Sequence, residues 1–299
     1  MLNRSTLKYS LKKILPQKFF VFILYIWQKK LLHVVERIDS LRSKKFVSYH
    51  AVKLHHNKHH FYLYISPKNG FIDRYIFLYG VYEPFMLDLF FSHLKVGQTF
   101  VDIGANIGQH SMYAAKIVGK GGNVYAFEPI PSLYEQIKDS ARHNAFEKIV
   151  HVYNYALGEK EKVEKFFISK NVGGSSLVND DDTQEIISVH VKNGDKELAA
   201  IKNIDVVKID VEGYEYEVLQ GIKQTLNTHR PKIFIEFSGN FYYTQGKGHG
   251  AKILKLLRDL EYELFDIEDN LTKITDDILF DETISKVRTQ TNLLCIKKD

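Results

Sequence analysis

The chain has 299 residues, of which 44% are hydrophobic, 26% charged and 13% aromatic, a composition that excludes a disordered chain and a short disulfide-stapled peptide. The single cysteine, Cys295, excludes an internal disulfide and a cysteine-based zinc site, and it predicts a cytoplasmic location. The formal net charge of +5 combines +11 in residues 1–60 with −6 in the remaining 239, and this acidic body argues against a nucleic-acid partner.

Residues 14–35 predict a basic helix with an unbroken apolar run of nine residues, Phe19–Trp27. A bilayer span needs about 20 apolar residues, so this run is too short to cross a membrane. Two interpretations stay open. The helix lies on an anionic membrane surface, which would make the protein membrane-associated, or it packs on the body or on a second subunit of a homo-oligomer. We favour packing.

Two β-rich runs, FVSYHAVKL and FYLYISP, flank the segment HHNKHH and predict a hairpin. Imidazole binds zinc, copper and nickel, so the histidines at the tip are candidate ligands: His55, His56, His59 and His60. No carboxylate accompanies them, and we expect solvated loop residues and no metal. We therefore divide the chain into an N-terminal helix and hairpin extension, residues 1–80, and a catalytic domain, residues 81–299.

From about residue 98, short apolar runs alternate with helical stretches, which predicts an α/β domain with a mostly parallel sheet. The candidate strands are TFVDIG, NVYAFE, IVHVYNYAL, DVVKID, KIFIEF and YELFDI, and the candidate helices lie near 109–118, 132–146, 212–226 and 248–260. A last run, TNLLCIKK, follows a polar stretch without a clear helix and is expected to pair antiparallel. Within residues 159–192, KVEKFFISK and EIISVHVK predict an additional strand pair.

The first strand-to-helix junction reads VDIGANIGQHS and marks a ligand site, because ligands of open α/β sheets bind at the carboxyl ends of strands. The spacing of Gly104 and Gly108 is not the dinucleotide fingerprint, and Asp102 would oppose a pyrophosphate but suits a cationic ligand. Glu128 ends the second strand, where a carboxylate accepts hydrogen bonds from ribose hydroxyls. These groups predict a nucleoside with a cationic amino-acid tail, S-adenosylmethionine.

VDIGANIG resembles the first motif of class I S-adenosylmethionine-dependent methyltransferases, and YAFEP resembles their acidic second-strand motif. VVKIDVEGYEYEVLQG, together with YEP, NYALG, GGSSL and IEF, is similar to the FkbM family of methyltransferases, from about Tyr82 to the C-terminus. The resemblance implies a Rossmann-like fold, with a mostly parallel seven-stranded sheet and one antiparallel strand. It also implies that Glu128 holds the ribose and that four residues line the methionine end of the cofactor: Asp102, Gly104, Asn106 and Gly108. Asn106 replaces the middle glycine of the motif, and asparagine tolerates a positive φ.

Three carboxylates follow or end later strands. Asp210 ends the fourth strand, Glu212 opens the next helix, and Glu236 ends the fifth strand. Each has a structural alternative: Asp210 or Glu212 as a helix cap, and Glu236 in a structural hydrogen bond. We predict Asp210 as the base that removes a hydroxyl proton, with Glu236 or Glu212 second. Oxygen ligands also suit a divalent ion, but no further ligand completes an octahedron, so we expect metal-free chemistry.

The implied reaction is S-adenosylmethionine-dependent O-methylation of a hydroxyl on a sugar or glycan, or on a small secondary metabolite. The basic, aromatic N-terminal segment favours the glycan. Candidate acceptor walls are the loop with Ser175 and Ser176 and the stretch 267–290, and His249 is either a second base or a loop residue without a role. A nicotinamide-dependent oxidoreductase is the alternative from another class, although its diphosphate-binding fingerprint is absent.

Overall fold

A computed structural model describes most of the chain, namely residues 49–67, 70–169, 183–239, 250–288 and 290–298. These residues belong to one of the two units into which contacts divide the chain, Tyr49–Asp299. The predicted basic helix of residues 14–35 lies outside them. No helix within the described ranges combines the length and the apolar character that crossing a bilayer requires.

A β-hairpin opens the described part of the chain, as the sequence predicts. β1 (His50–His56) pairs antiparallel with β2 (His59–Ile65), and Asn57 in the turn has a φ of 50°. Side chains alternate between the two faces of a strand, so one face of the hairpin is buried. Its buried residues are Leu54, Phe61, Leu63 and Ile65.

Two helices lead from the hairpin to the main sheet. α1 (Phe71–Tyr79) ends at Gly80, and α2 (Pro84–His93) has a proline at its first turn, where its fixed φ suits a helix start. His56 Nε2 lies 2.7 Å from Asp88 Oδ1, which connects the hairpin tip to α2. The expectation of solvated loop histidines without a carboxylate was therefore wrong for His56, which belongs to β1 and has a carboxylate partner. The cross-strand pair His55 and His60 is exposed.

The main sheet contains eight strands within the described residues, namely β3 Thr99–Ile103, β4 Asn123–Phe127, β5 Val150–Tyr153, β9 Val206–Ile209, β10 Lys232–Ser238, β11 Tyr262–Asp266, β12 Thr272–Lys273 and β13 Gln290–Lys297. Their order across the sheet is β12-β11-β13-β10-β9-β3-β4-β5. The strands from β10 to β5 are parallel, and β13 lies antiparallel between β10 and β11. This confirms the predicted fold class, with the two-residue β12 added antiparallel at one edge.

Helices connect these strands as the alternating pattern predicts. Within the described ranges they are α3 Gln109–Val118, α4 Pro131–His143, α5 Gly194–Leu198, α6 Glu215–Gly221, α7 Lys223–His229, α8 Gly250–Asp259 and α9 Asp277–Thr283, with a 3₁₀ turn at Gly119–Gly121 and a π-helical turn at Ile284–Arg288. The helix predicted over 212–226 is two helices, because the backbone of Ile222 leaves the helical conformation between α6 and α7.

The polar stretch before the last strand does contain a helix, which the sequence pattern missed. α9 begins after Asp276, whose carboxylate accepts hydrogen bonds from the main-chain N–H groups of Ile278 and Leu279. Both of these apolar side chains are exposed and only Phe280 packs on the core, so the helix lacks the repeated apolar positions by which helices are predicted.

A small second sheet contains the predicted additional strand pair. β7 (Lys162–Ser169) and β8 (Thr183–Asn193) are antiparallel, and β6 (Ala156–Gly158) pairs parallel with β8. Residues 170–182, which include Ser175 and Ser176, lie outside the described residues.

Apolar side chains cover both faces of the main sheet. Phe100 packs in one cluster with Met112 of α3 and Phe61 of the hairpin, whereas the next residue, Val101, packs in the other cluster. Alternation along β3 therefore directs Asp102 towards the face that α3 covers. The hairpin shares a buried core with the α/β body.

Candidate active site

The turn between β3 and α3 is built on left-handed backbone. φ is 80° at Gly104, 52° at Asn106 and 83° at Gly108. A Cβ on Gly104 would clash with the main-chain carbonyl oxygen of Asp210, so the absent side chain lets this turn lie against the end of β9. Asn106, which stands in place of the middle glycine of the motif, adopts the positive φ that this turn requires.

Asp102 lies beneath this turn and is fully buried. Its Oδ2 accepts a 2.6 Å hydrogen bond from Ser111 Oγ of α3, while Oδ1 has no hydrogen-bond partner among the described residues and lies 3.8 Å from Lys208 Nζ. Burial raises the pKa of Asp102, and Lys208 opposes that increase. The carboxyl group therefore supports the turn from behind and faces a buried ammonium.

Glu128 follows β4 and joins the turn to the start of α4. Its Oε2 accepts a hydrogen bond from the N–H of Asn106 at 2.8 Å, and its Oε1 accepts one from the N–H of Ile130 at 2.9 Å. Burial raises its pKa to about 8. A carboxylate has about four lone-pair positions, so each oxygen can still accept a hydrogen bond from a ligand hydroxyl.

One cleft joins these groups to the carboxyl ends of β9 and β10. It encloses about 1110 Å³, counting the space open to solvent at its mouth. Its described walls include Tyr82, Glu83, Gly104, Asn106, His110, Glu128, Lys208, Asp210, Glu212, Tyr214, Glu236 and Gln290. The bare backbone of Gly104 and the free lone pairs of Glu128 fit a nucleoside. We call Gly104, Asn106 and Glu128 the cofactor end of the cleft. Asp102 and Gly108, which the resemblance also places at the cofactor, are not among its described walls.

The three predicted catalytic carboxyl groups meet in this cleft. Asp210, Glu212 and Glu236 each place an oxygen within 4.8 Å of the others. Glu236 Oε1 accepts a 2.8 Å hydrogen bond from Gln290 Nε2 of β13. The geometry has room for a cation with oxygen ligands, but carboxyl groups also gather without one, and metal-free chemistry stays our prediction.

The capping alternatives for Asp210 and Glu212 are not found. α6 begins at Glu215, three residues after Glu212, and Tyr214 precedes it without a side-chain cap. Glu215 Oε1 instead accepts hydrogen bonds from the N–H groups of Val211 and Gly213. The expectation that Glu212 opens the helix was wrong, because this loop places Glu212 at a φ of 52° on the cleft wall.

Two further cleft residues were missed by the sequence analysis. Lys208 lies in the buried strand β9, and its Nζ lies 2.8 Å from Asp210 Oδ2. Glu83 precedes α2 with a φ of 47°, and burial, followed by the charge of Asp210, raises its pKa to about 7. The sequence did contain a signal for each residue. Lys208 is a charged residue in an otherwise apolar strand that must be buried, and Glu83 belongs to the YEP motif.

The acidic side chains share one electrostatic environment. Burial, followed by the neighbouring carboxylates, raises the pKa of Glu212 and of Glu236 well above the ordinary glutamate value. Attraction to Asp210 and Asp102 outweighs the burial of Lys208 and raises its pKa, so Lys208 is an ammonium. We call Glu83, Asp210, Glu212 and Glu236 the acidic end of the cleft. The loop residues Ser175, Ser176 and His249 lie outside the described residues.

Fold and site together define a class I S-adenosylmethionine-dependent methyltransferase domain. The chain belongs to the methyltransferase FkbM domain family, whose model matches residues 102–264. The resemblance to this family and S-adenosylmethionine as cofactor are thereby confirmed, and the family decides against the nicotinamide-dependent alternative.

Individual relatives match parts of the chain. The hexuronic acid methyltransferase AglP of Haloferax volcanii is 30% identical over 130 residues, which cover 42% of this chain and 51% of that protein. Methyltransferase 1 of Beauveria bassiana is 26% identical over 177 residues, which cover 51% of this chain and 66% of that protein. The chain thus spans about half the length of the first relative and two thirds of the second.

Solved structures resemble the chain at lower identity. Methyltransferase FkbM from Methylobacillus flagellatus is 16% identical, with a TM-score of 0.42 over 75% of this chain and 52% of that one. Fibrillarin of Aeropyrum pernix, crystallised with S-adenosyl-L-methionine, is 11% identical, with a TM-score of 0.43 over 83% of this chain and 99% of that one.

Proposed function

We propose that this protein transfers the methyl group of S-adenosylmethionine to a hydroxyl of a sugar or glycan. The observation that carries the proposal is the position of the acidic end directly beside the cofactor end, with Gly104 against the main chain of Asp210. Hydroxyl groups are recognised by side chains that accept hydrogen bonds, and carboxyl groups supply such acceptors in several directions. The sugar acid in the name of the Haloferax relative is consistent with a sugar acceptor.

The cofactor end would hold the nucleoside. Glu128 would accept hydrogen bonds from the ribose hydroxyls, and the turn at Gly104 and Asn106 would let the main chain approach the ligand closely. Asp102 would hold the turn from behind through Ser111. The cofactor, when bound, supplies an electrophilic methyl group on a sulfonium.

Asp210 would remove the proton of the acceptor hydroxyl. The Lys208 ammonium occupies its Oδ2, and about a third of the Asp210 side chain is exposed in the cleft, which leaves Oδ1 for the acceptor. Glu212 and Glu236 would hold the acceptor by hydrogen bonds. Most of the rate enhancement would then come from alignment of the hydroxyl with the methyl group, with a smaller part from proton removal.

The proposal is tested with the full-length chain, labelled S-adenosylmethionine and a panel of glycosides, glycans and small secondary alcohols. We expect label in a methyl ether of a glycoside or glycan, identified by product mass. Calorimetric titration with S-adenosylmethionine comes first, because it separates a folded protein from an inactive preparation. Label only in the small alcohols would favour a metabolite O-methyltransferase, and label on nitrogen or carbon would overturn the proposal.

A further inference from the structure

Carboxyl groups outnumber basic side chains among the described walls of the acidic end. Four carboxyl groups line this part of the cleft, and Lys208 is the ammonium that faces them. Its Nζ is already committed, at 2.8 Å from Asp210 Oδ2 and 3.8 Å from Asp102 Oδ1. Lys208 is itself buried, so an acceptor would meet an ion pair and not a free cation.

His110 is the second basic side chain among the described walls of the cleft. Its Nε2 is buried and has no hydrogen-bond partner in the described residues, so it is an unused polar atom beside the site. Burial, followed by the charge of Lys208, lowers its pKa well below the ordinary histidine value. An imidazole held neutral in this way offers a hydrogen bond to a hydroxyl but no positive charge to a carboxylate.

We propose that the acceptor is a sugar without an anionic group and that the acidic end discriminates against uronic acids. The inference rests on the proposed function and narrows it. Sugar hydroxyls can donate to Asp210, Glu212 and Glu236 and can pair with the amide of Gln290. The carboxylate of a uronic acid would lie close to Asp210 without a free counter-ion among the described residues, and like charges at short distance repel in a site of low dielectric constant.

The acceptor would then be an uncharged sugar, whereas the name of the Haloferax relative gives a hexuronic acid. The sequence match covers only 51% of that protein, so its acceptor site need not be shared. Related enzymes commonly keep a cofactor site while loops and added side chains change the acceptor.

Matched pairs of glycosides test this inference without any mutation. Methyl glucuronide and methyl galacturonide are each compared with the corresponding uronamide, which keeps every ring hydroxyl and removes the charge. At pH 8, above the pKa of Glu83, we expect kcat/KM for methyl transfer to be at least about tenfold higher for the amide in each pair, because only the uronate carries the repelled charge. A uronate that is methylated as well as its amide, or better, would overturn the inference and leave the proposed function standing.

Failure of the proposed function gives a different result. If S-adenosylmethionine binds and no glycoside of either kind is methylated, the sugar acceptor is wrong and the inference falls with it.

Glu83→Gln then reports on the origin of the selectivity. It removes one carboxyl group and keeps the shape, so at pH 8 the ratio of amide to uronate should fall severalfold. Glu135→Gln, an exposed charge on α4 paired with Lys138, should leave the ratio unchanged. An unchanged ratio in a folded Glu83→Gln variant would overturn the electrostatic basis of the inference.

Discussion

The two ends of the cleft are held together in opposite ways. At the cofactor end, the Glu128 carboxylate accepts hydrogen bonds from the main-chain N–H groups of Asn106 and Ile130, and every part lies within 27 residues of sequence. At the acidic end, carboxyl groups from Glu83 to Glu236 crowd together, and burial, followed by the neighbouring charges, raises the pKa of Glu83, Glu212 and Glu236. A short stretch of sequence therefore determines the geometry of the cofactor end. The acidic end, in contrast, is brought together by the sheet, against the repulsion between its carboxylates.

The strongest way to break the cofactor end is to add a single methyl group at Gly104. Gly104→Ala places a Cβ against the main chain of Asp210 at a φ of 80°, so the turn must move away from β9. We expect S-adenosylmethionine affinity to fall more than about 1000-fold in calorimetric titration, since both ends of the cleft are displaced.

Gly97→Ala is the matched control, because Gly97 has a φ of 83° and open space around it. It should cost about 1 kcal/mol of stability and leave cofactor affinity unchanged. Near-normal affinity in Gly104→Ala would show that the close approach to β9 is not required.

The contrast explains why the cofactor end was predictable from sequence. The run VDIGANIG contains the end of the strand, the turn and the residue that precedes the helix in eight residues, and the glycine spacing needs no knowledge of distant contacts. The meeting of Asp210 and Glu236 was also predictable, because parallel strands end at the same edge of the sheet.

Parts of the acidic end could not be predicted from the sequence, because they depend on contacts between distant residues or on an unusual backbone conformation. Glu83 meets Asp210 across 127 residues, and its left-handed conformation has no sequence signature in a non-glycine residue. Glu212 was misplaced in a helix because the left-handed residues of the loop delay the start of α6 to Glu215. α9 was missed because two of its three apolar residues, Ile278 and Leu279, are exposed and only Phe280 packs on the core.

The next largest expected effect, that of Asp210→Asn, separates the methyl-transfer step from cofactor binding. Asp210→Asn removes the proton acceptor and keeps the shape, so kcat should fall about 100- to 1000-fold, in the range of general-base catalysis. The affinity for S-adenosylmethionine should stay within about threefold, because the cofactor end is held by other residues.

The control is Asp205→Asn at the opposite end of β9, where Asp205 accepts a hydrogen bond from the N–H of Thr99. It should leave kcat unchanged. A large loss of cofactor affinity in Asp210→Asn, with kcat preserved at saturation, would contradict the separation of the two ends.

Glu128→Gln is the converse test. The two carboxylate oxygens of Glu128 accept hydrogen bonds from the main-chain N–H groups of Asn106 and Ile130. In glutamine an amide nitrogen replaces one of these oxygens, so one of the two N–H groups loses its acceptor. The amide nitrogen also cannot accept a hydrogen bond from a ribose hydroxyl, and a buried polar group left without a partner costs about 1 to 3 kcal/mol, which predicts an S-adenosylmethionine Kd about 10- to 100-fold higher. kcat at saturating cofactor should change little, and a selective loss of kcat would assign Glu128 to the acceptor.

The smallest effect is the pH dependence of stability that crowding at the acidic end creates. The pKa of Glu83 is raised from 4.5 to about 7 in the folded chain, so the folded state binds more protons than the unfolded state between these values. Stability from this group is fully present below about pH 4.5 and is lost as the pH rises through about 7. Urea unfolding at pH 5 and pH 9 should therefore show that the wild type loses on the order of 1 kcal/mol more than Glu83→Gln over this interval. Equal losses in the two proteins would mean that Glu83 ionises without penalty in the folded chain, which would contradict the raised pKa on which this prediction rests.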